Sequence, residues 1–502
     1  MSTESHAPPP PPGVLSYNVP PDDQAPAPQH LPEDVLVEHI LTRVPAAAAA
    51  VRFRAVCRAW RDALTSDHFT EAHRAARAAA AAAHTPEIVF FDARSDATAF
   101  YACKLNLTAH KSRNPSSDEA AAPARELVTM ENLRASNRCG TDLVFSGTRP
   151  CRGLTLLSQL HAYHVCNLST GEHVSLPPCT PASSYFFGLS SAGLGFDPAA
   201  REHKVVRLYH ESKMQPRCEV YGLSSGGWRP CAGHLPPSHV AASMWFDFGA
   251  GANRGRDAAG RPPVFVDGCF YWHIHPQAAI LSLAVSTEEF RWVAPPGRRP
   301  VRHVTGLAEL DGSLCAMVEL DPRLRTRHET ELWTRTAGGT GTGGSPPSWS
   351  MRCRISFYKL PMAIRNGMCS GRTVLPLASW SGGKILLATS AHEVYAYDPR
   401  RCRAERVFSA SAFVDYPGEA WGVLPNIALH EDSVTGVRCR AVAGDDDEDR
   451  GRLKVKVGSR TLARREGYAA DHSIISERRL REMIDIAMNY SLRPVKNAIL
   501  TF

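Results

Sequence analysis

No apolar run among the 502 residues approaches the length that crosses a bilayer, which argues against a helical membrane protein. The N-terminus lacks the basic segment and following apolar segment of a secretory leader. It carries Pro8 to Pro12 and Pro20 to Pro28 in a polar setting, so residues 1–29 are expected to form a disordered, partly polyproline-II arm. With secretion not expected, the sequons at Asn106, Asn167 and Asn489 read as chance matches. The 14 cysteines show no paired spacing, which favours reduced thiols in the cytoplasm or nucleus over a disulfide framework. Charge is not concentrated either. The net +7 is spread along the chain, Arg298-Arg299, Arg400-Arg401 and Arg464-Arg465 are isolated pairs, and no basic face of the kind nucleic acid requires can be picked out. The acidic run Asp445 to Asp449 reads as a solvated loop.

What is present begins at Leu31. Pro32 suits the first position of a helix, where its missing N–H would have had no acceptor. Glu33 and Asp34 place negative charge at the positive end of the dipole. Val37, Ile40, Leu41 and Val44 fall at helical spacing, Leu36 widens that face, and Pro45 ends it. A second helical stretch runs from Ala46 through Arg54, and a third from Cys57 through Trp60 and Leu64 toward Phe69. About 40 residues lies near the lower limit for independent folding, so this unit calls for a partner.

These residues resemble the F-box family. Its pattern is met by Leu31-Pro32-Glu33-Asp34-Val35-Leu36, by Ile40-Leu41-Thr42-Arg43-Val44-Pro45 and by Arg54-Ala55-Val56-Cys57-Arg58-Ala59-Trp60-Arg61. Two departures are a first helix one residue longer than the commonest form, around His39, and alanines at Ala46 to Ala50 in place of bulkier residues. The resemblance implies docking on the Skp-type adaptor of a cullin-based ubiquitin ligase. Leu31, Pro32, Leu36, Ile40, Leu41, Val56, Cys57 and Trp60 match positions that meet the adaptor or support that face.

Composition at 43% hydrophobic and 21% charged is globular, and the length calls for a second unit. From about Pro86 to Ser411 short apolar runs alternate with turn residues. Val264 to Val266, Asp267-Gly268 and Cys269 to Trp272 read as strand, tight turn and strand. The same layout recurs around Asp311-Gly312, about 44 residues on, near the period of a four-stranded propeller blade. Gly195-Phe196-Asp197-Pro198 with Lys204-Val205-Val206, Glu219-Val220-Tyr221 to Trp228, and Val266-Asp267-Gly268 to Tyr271-Trp272 resemble the plant F-box-associated domains, which are propeller-like.

The expected fold is multidomain α+β, a three-helix F-box followed by a large all-β domain, a β-propeller, with an aligned β-sandwich as the alternative. The expected boundaries are a Pro-rich arm at 1–29, the F-box at 30–75, an Ala-rich helical linker at 76–86, the β domain at 87–415, and an extension at 416–502 with a helix near 476–490. Insertions are expected at Ser112 to Asn132, Met244 to Pro263 and Thr336 to Ser348, with an aromatic cluster at Trp245 to Phe248.

Three tempting motifs lack their context. Gly222-Leu223-Ser224-Ser225-Gly226 has the nucleophile-elbow pattern, but Trp228 and a Pro follow where a helix should start. Gly339 to Gly344 has dinucleotide-loop spacing but leads into Ser345-Pro346-Pro347. His161 with His164, and His273 with His275, have no third or fourth ligand at zinc spacing. The expectation is a non-catalytic substrate receptor with no cofactor or metal. Its partners would be the adaptor, a cullin indirectly, and an unknown target protein. The alternatives are a scaffold that sequesters its target, and a propeller hydrolase or lyase using the Ser224 or His273 region.

Overall fold

The computed structural model describes residues 40–46, 52–83, 85–94, 96–105, 123–133, 143–159, 162–180, 190–212, 215–236, 262–274, 279–297, 302–320, 329–336, 347–369, 374–414, 425–439 and 453–464. Short helices lead into six antiparallel sheets that follow one another along the chain, a six-bladed β-propeller. Blade 1 begins with β1 (Glu87–Ala93), β2 (Ala97–Lys104) and β3 (Ala124–Glu131). Each later blade takes four consecutive strands. Blade 2 holds β4 (Leu143–Phe145), β5 (Thr155–Gln159), β6 (Ala162–Cys166) and β7 (His173–Ser175). Blade 3 holds β8 (Ser191–Asp197), β9 (Glu202–Ser212), β10 (Gln215–Gly222) and β11 (Trp228–Pro230). Blade 4 holds β12 (Val264–Val266), β13 (Cys269–Ile274), β14 (Ala279–Ala284) and β15 (Phe290–Val293). Blade 5 holds β16 (Arg302–Leu310), β17 (Ser313–Leu320), β18 (Glu329–Arg335) and β19 (Trp349–Ser356). Blade 6 holds β20 (Val374–Trp380), β21 (Lys384–Thr389), β22 (Glu393–Asp398) and β23 (Arg403–Ser409). The first strands are innermost, with β12 beside β8 and β16, and β16 beside β20. Six separate sheets in this succession rule out the sandwich.

The hairpins follow from local chemistry. Asp267 and Gly268 have φ of 53° and 71°, and Asp311 and Gly312 of 53° and 77°, the left-handed pair that a two-residue turn between twisted strands requires. Neighbouring blades then bury their faces against one another. Phe270, Leu281 and Leu283 of blade 4, for example, pack on Val206, Leu208 and Val220 of blade 3. Asp197 and Lys204, from the stretch that carries the family resemblance, tie these two blades together. Lys204 Nζ donates to Asp197 Oδ2 at 2.6 Å and to the Val285 carbonyl at 3.4 Å, and Ser286 Oγ donates to Asp197 Oδ1 at 2.6 Å.

The chain departs from expectation in four places. The expected β-domain limit at residue 415 cuts through blade 1. β24 (Ala428–Leu429) pairs with β1 as its innermost strand, while β25 (Lys454–Val457) and β26 (Thr461–Leu462) pair with β3. The ring is therefore closed by chain from both ends. Within the expected insertion at 112–132, Ala124–Glu131 is strand β3, whose charged residues Arg125, Glu126 and Glu131 masked its strand pattern. The helix expected from Cys57 to Phe69 breaks at Ser66, whose ψ of 150° is extended, into α1 (Arg58–Thr65) and α2 (Asp67–Ala83). Ser66 Oγ accepts the Phe69 amide at 3.1 Å, the bond of an N-cap, and Asp67 sits in the first turn. Finally, α2 runs unbroken through the expected boundary at 75 and through most of the linker at 76–86. The aromatic cluster at 245–248, the Gly-rich stretch at 339–344 and the helix near 476–490 lie outside the described residues.

Candidate functional site

Antiparallel succession gives the propeller two distinct faces. Turns joining first to second and third to fourth strands emerge on one face, and the remaining connections on the other. Arg152, Arg201 and Glu172 lie in turns of the first kind, and 430–438 follows the innermost strand β24 out on the same face. The N-terminal helices sit there.

An apolar seat joins the two units, made by Leu41, Ala46, Leu64 and Phe69 on the helical side and Val434 on the propeller side. Around it, Arg77 pairs with Asp432 at 2.8 Å, Arg54 with Glu172 at 2.9 Å, Arg152 with Glu71 at 2.8 Å, and Arg438 with Asp67 at 2.8 Å. Asp432 Oδ1 also accepts the Ala46 amide at 3.1 Å. Isolated surface pairs contribute little, but here they ring a desolvated patch and fix its orientation. His73 is fully buried beneath the seat, its Nε2 3.1 Å from the Val44 carbonyl, and burial holds its pKa below the ordinary value.

This seat divides the expected adaptor-binding residues. Leu41 is 3% exposed and packs in the cluster with Val434, so its side chain is covered by the propeller. Ile40 and Val56 stand out at 43% and 60% exposure. Cys57 is exposed beside Val56, and its Sγ accepts the Trp60 amide at 3.4 Å as the N-cap of α1. Trp60 is half-buried, edge-on to Phe53 at 5.9 Å. Leu31, Pro32 and Leu36 lie outside the described residues. The structure thus brings Ile40, Val56 and Cys57 to solvent while covering Leu41. Asp432 and Val434 carried no sequence signal, because they become neighbours of the helices only when β24 closes the ring.

A cavity of about 210 Å³ occupies the axis, its wall including Phe145, Leu194, Phe265, Trp272, Leu307 and Leu375. Arg149, after β4, pairs with Glu309 at the end of β16 at 2.5 Å. Blades 2 and 5 stand opposite each other in a ring of six, so this pair spans the axis at the end facing the helices. His273 lies on the wall, while His161 and His275 fall outside the described residues. His164 instead contacts Ser175 Oγ through Nδ1 at 2.9 Å. Among the described residues no group of three or more His, Cys, Asp or Glu could hold a metal. Ser224 is in a hairpin turn, where the amides of Ser224 and Ser225 both donate to Glu202 Oε2 at 3.1 Å. Asn167, one of the sequons, is fully buried, and its Nδ2 donates to the carbonyls of Ser433 and Thr435 at 2.8 and 2.9 Å, which leaves a glycan no room.

Comparison with known families agrees with this geometry. An F-box domain matches residues 28–71, and an F-box associated beta propeller domain matches residues 97–337, from β2 to just beyond β18. No curated protein matches the chain. Among solved structures, the Cps50 (Swd1) β-propeller domain of Myceliophteria thermophila is 11% identical, with 65% of this chain and 86% of that one covered and a TM-score of 0.33. An uncharacterized protein of Listeria monocytogenes EGD-e is 8% identical over 65% of this chain and 80% of its own, with a TM-score of 0.30. AztD of Citrobacter koseri is 10% identical over 65% and 82%, with a TM-score of 0.28. At that level these likenesses add nothing to the blade count, which rests on the sheets.

Proposed function

From a chain that carries an F-box domain ahead of an F-box associated β-propeller domain, we propose the work of a substrate receptor in a cullin-type ubiquitin ligase. The F-box holds a Skp-type adaptor through Ile40, Val56, Cys57 and the Leu31-Pro32 segment. The propeller holds the target, and the axial cavity offers an apolar pocket. Such a chain needs no nucleophile of its own. It contributes proximity and orientation, raising the effective concentration of target beside the ubiquitin carrier that the cullin brings. The 14 cysteines without paired spacing support residence in the cytoplasm or nucleus.

The observation that carries this reading is the exposure of Ile40 and Val56 beside a seat that hides Leu41, Leu64 and Phe69. Only the outward residues of the motif are left for a second polypeptide. Replacing both, Ile40→Asp with Val56→Asp, removes two apolar anchors that are already solvated in the free chain, so folding is expected to be unchanged. At about 1.5–3 kcal/mol per buried side chain, adaptor co-purification should fall by roughly tenfold or more. Unaltered capture by the double variant would count against the assignment.

A further inference from the structure

Cys218 and Cys231 face each other across the outer two strands of blade 3. The β10–β11 ladder pairs Glu219 with Pro230, so the next pair is Cys218 with Cys231, and the Cys231 amide donates to the Cys218 carbonyl at 2.9 Å. Residues opposed in this way have Cα atoms about 5.5 Å apart, inside the range a disulfide spans. Both side chains pack on the same apolar cluster between blades 3 and 4. Both residues are half-buried, so a small oxidant can reach them.

We propose that Cys218 and Cys231 form a redox modification site, a dithiol that a hydroperoxide converts to a cross-strand disulfide. Cys231 is the attacking group, since its pairing with Cys218 lowers its pKa while raising that of Cys218. The Cys231 thiolate attacks one oxygen of hydrogen peroxide, breaking the O–O bond. The displaced hydroxide leaves as water after protonation, and Cys231 becomes a sulfenic acid. Cys218 then attacks that sulfur, releasing a second water as the S–S bond forms. Two thiols and one peroxide give one disulfide and two waters.

The bond would act on a joint between blades. The Cys231 thiol donates to the Glu288 carbonyl at 3.8 Å, and the next amide, of Ala232, donates to Glu288 Oε2 at 2.7 Å. Gly233 lies so close that an added Cβ would stand 1.9 Å from the Glu288 carbonyl oxygen. Oxidation removes the Cys231 thiol hydrogen from this contact between blades 3 and 4 and staples the short strand β11 to β10.

The test is differential alkylation of the intact chain after graded hydrogen peroxide. It is read by mass spectrometry on fragments cut after Glu219, which separates the two cysteines unless they are linked. Cys218 and Cys231 should lose alkylation together, as one linked pair, at roughly tenfold less peroxide than the exposed Cys57. In Cys231→Ser, Cys218 should stay alkylatable over the same range, and Cys218→Ser should leave Cys231 trapped as sulfenic acid. The inference is overturned if Cys57 oxidises first while the pair stays reduced, or if either cysteine oxidises without becoming linked to the other.

Discussion

A chain ending at residue 424 is expected to lose its cooperative fold. Blade 1 would then lack its innermost strand, β24, and the strands β25 and β26 that line its outer edge. The deletion removes Ile427, Ala428, Leu429, Val434 and Leu453, all buried, from contacts with blade 1 and the F-box. The four larger side chains alone account for roughly 6–12 kcal/mol at about 1.5–3 each, comparable with the whole stability of a typical domain. Polar partners go as well. Asn426 Nδ2 no longer reaches the Leu143 carbonyl, and the buried Asn167 loses both acceptors for its Nδ2. The F-box loses Val434 and Asp432 together, so adaptor binding and propeller integrity should fail in the same variant. A cut after 452 spares β24 and the F-box seat and should leave a weakened but cooperative transition in urea. Wild-type-like unfolding of the 424 variant would show that the ring does not depend on this closure.

Acid should begin to destabilise the protein before its carboxylates protonate. His164 is buried and His203 half-buried, and desolvation pushes the pKa of each, and of His430, down to about 4 from 6.5 and lowers that of His73 as well. In the unfolded chain these rings take up protons near 6.5, so between there and 4 the unfolded state binds more protons than the folded one. Stability is therefore complete above about pH 6.5 and drains away as pH falls toward 4, where each strongly shifted histidine has withdrawn roughly 3 kcal/mol. The urea midpoint should drop steeply between pH 7 and 5. His164→Asn keeps a nitrogen near Nδ1, beside Ser175 Oγ, and His203→Gln keeps one near Nε2, 3.2 Å from the Cys151 carbonyl. Together they should flatten the profile at modest cost at pH 7. A midpoint independent of pH over this range would contradict the burial of these rings.

Which parts were legible in the sequence follows from how local their determinants are. The Asp-Gly hairpins at 267 and 311 declare themselves because a two-residue turn has its own chemistry, and the strands flanking them fall where alternation puts them. β19 and β23 escaped because outer strands are solvated on much of their surface. Trp349–Ser356 and Arg403–Ser409 carry arginines where a core strand would carry valine. β24 and β25 were beyond reach, since nothing in Ala428-Leu429 or Lys454–Val457 states that the partner strands lie more than 300 residues earlier. The F-box motif marks a set of residues but does not say which of them are exposed. Whether Leu41 or Ile40 points outward depends on Val434, which the helices meet only in the folded ring.

On the proposed reading, the F-box, seated on one face of the propeller, offers its outward residues to an adaptor. Hydrogen exchange of the intact chain with and without a purified Skp-type adaptor tests this most directly. The account predicts added protection in segments 31–41 and 54–61, with exchange at 431–438 and along the propeller-facing side of α2 unchanged. Protection at 431–438 with none around Val56, or no protection anywhere at saturating adaptor, would contradict it.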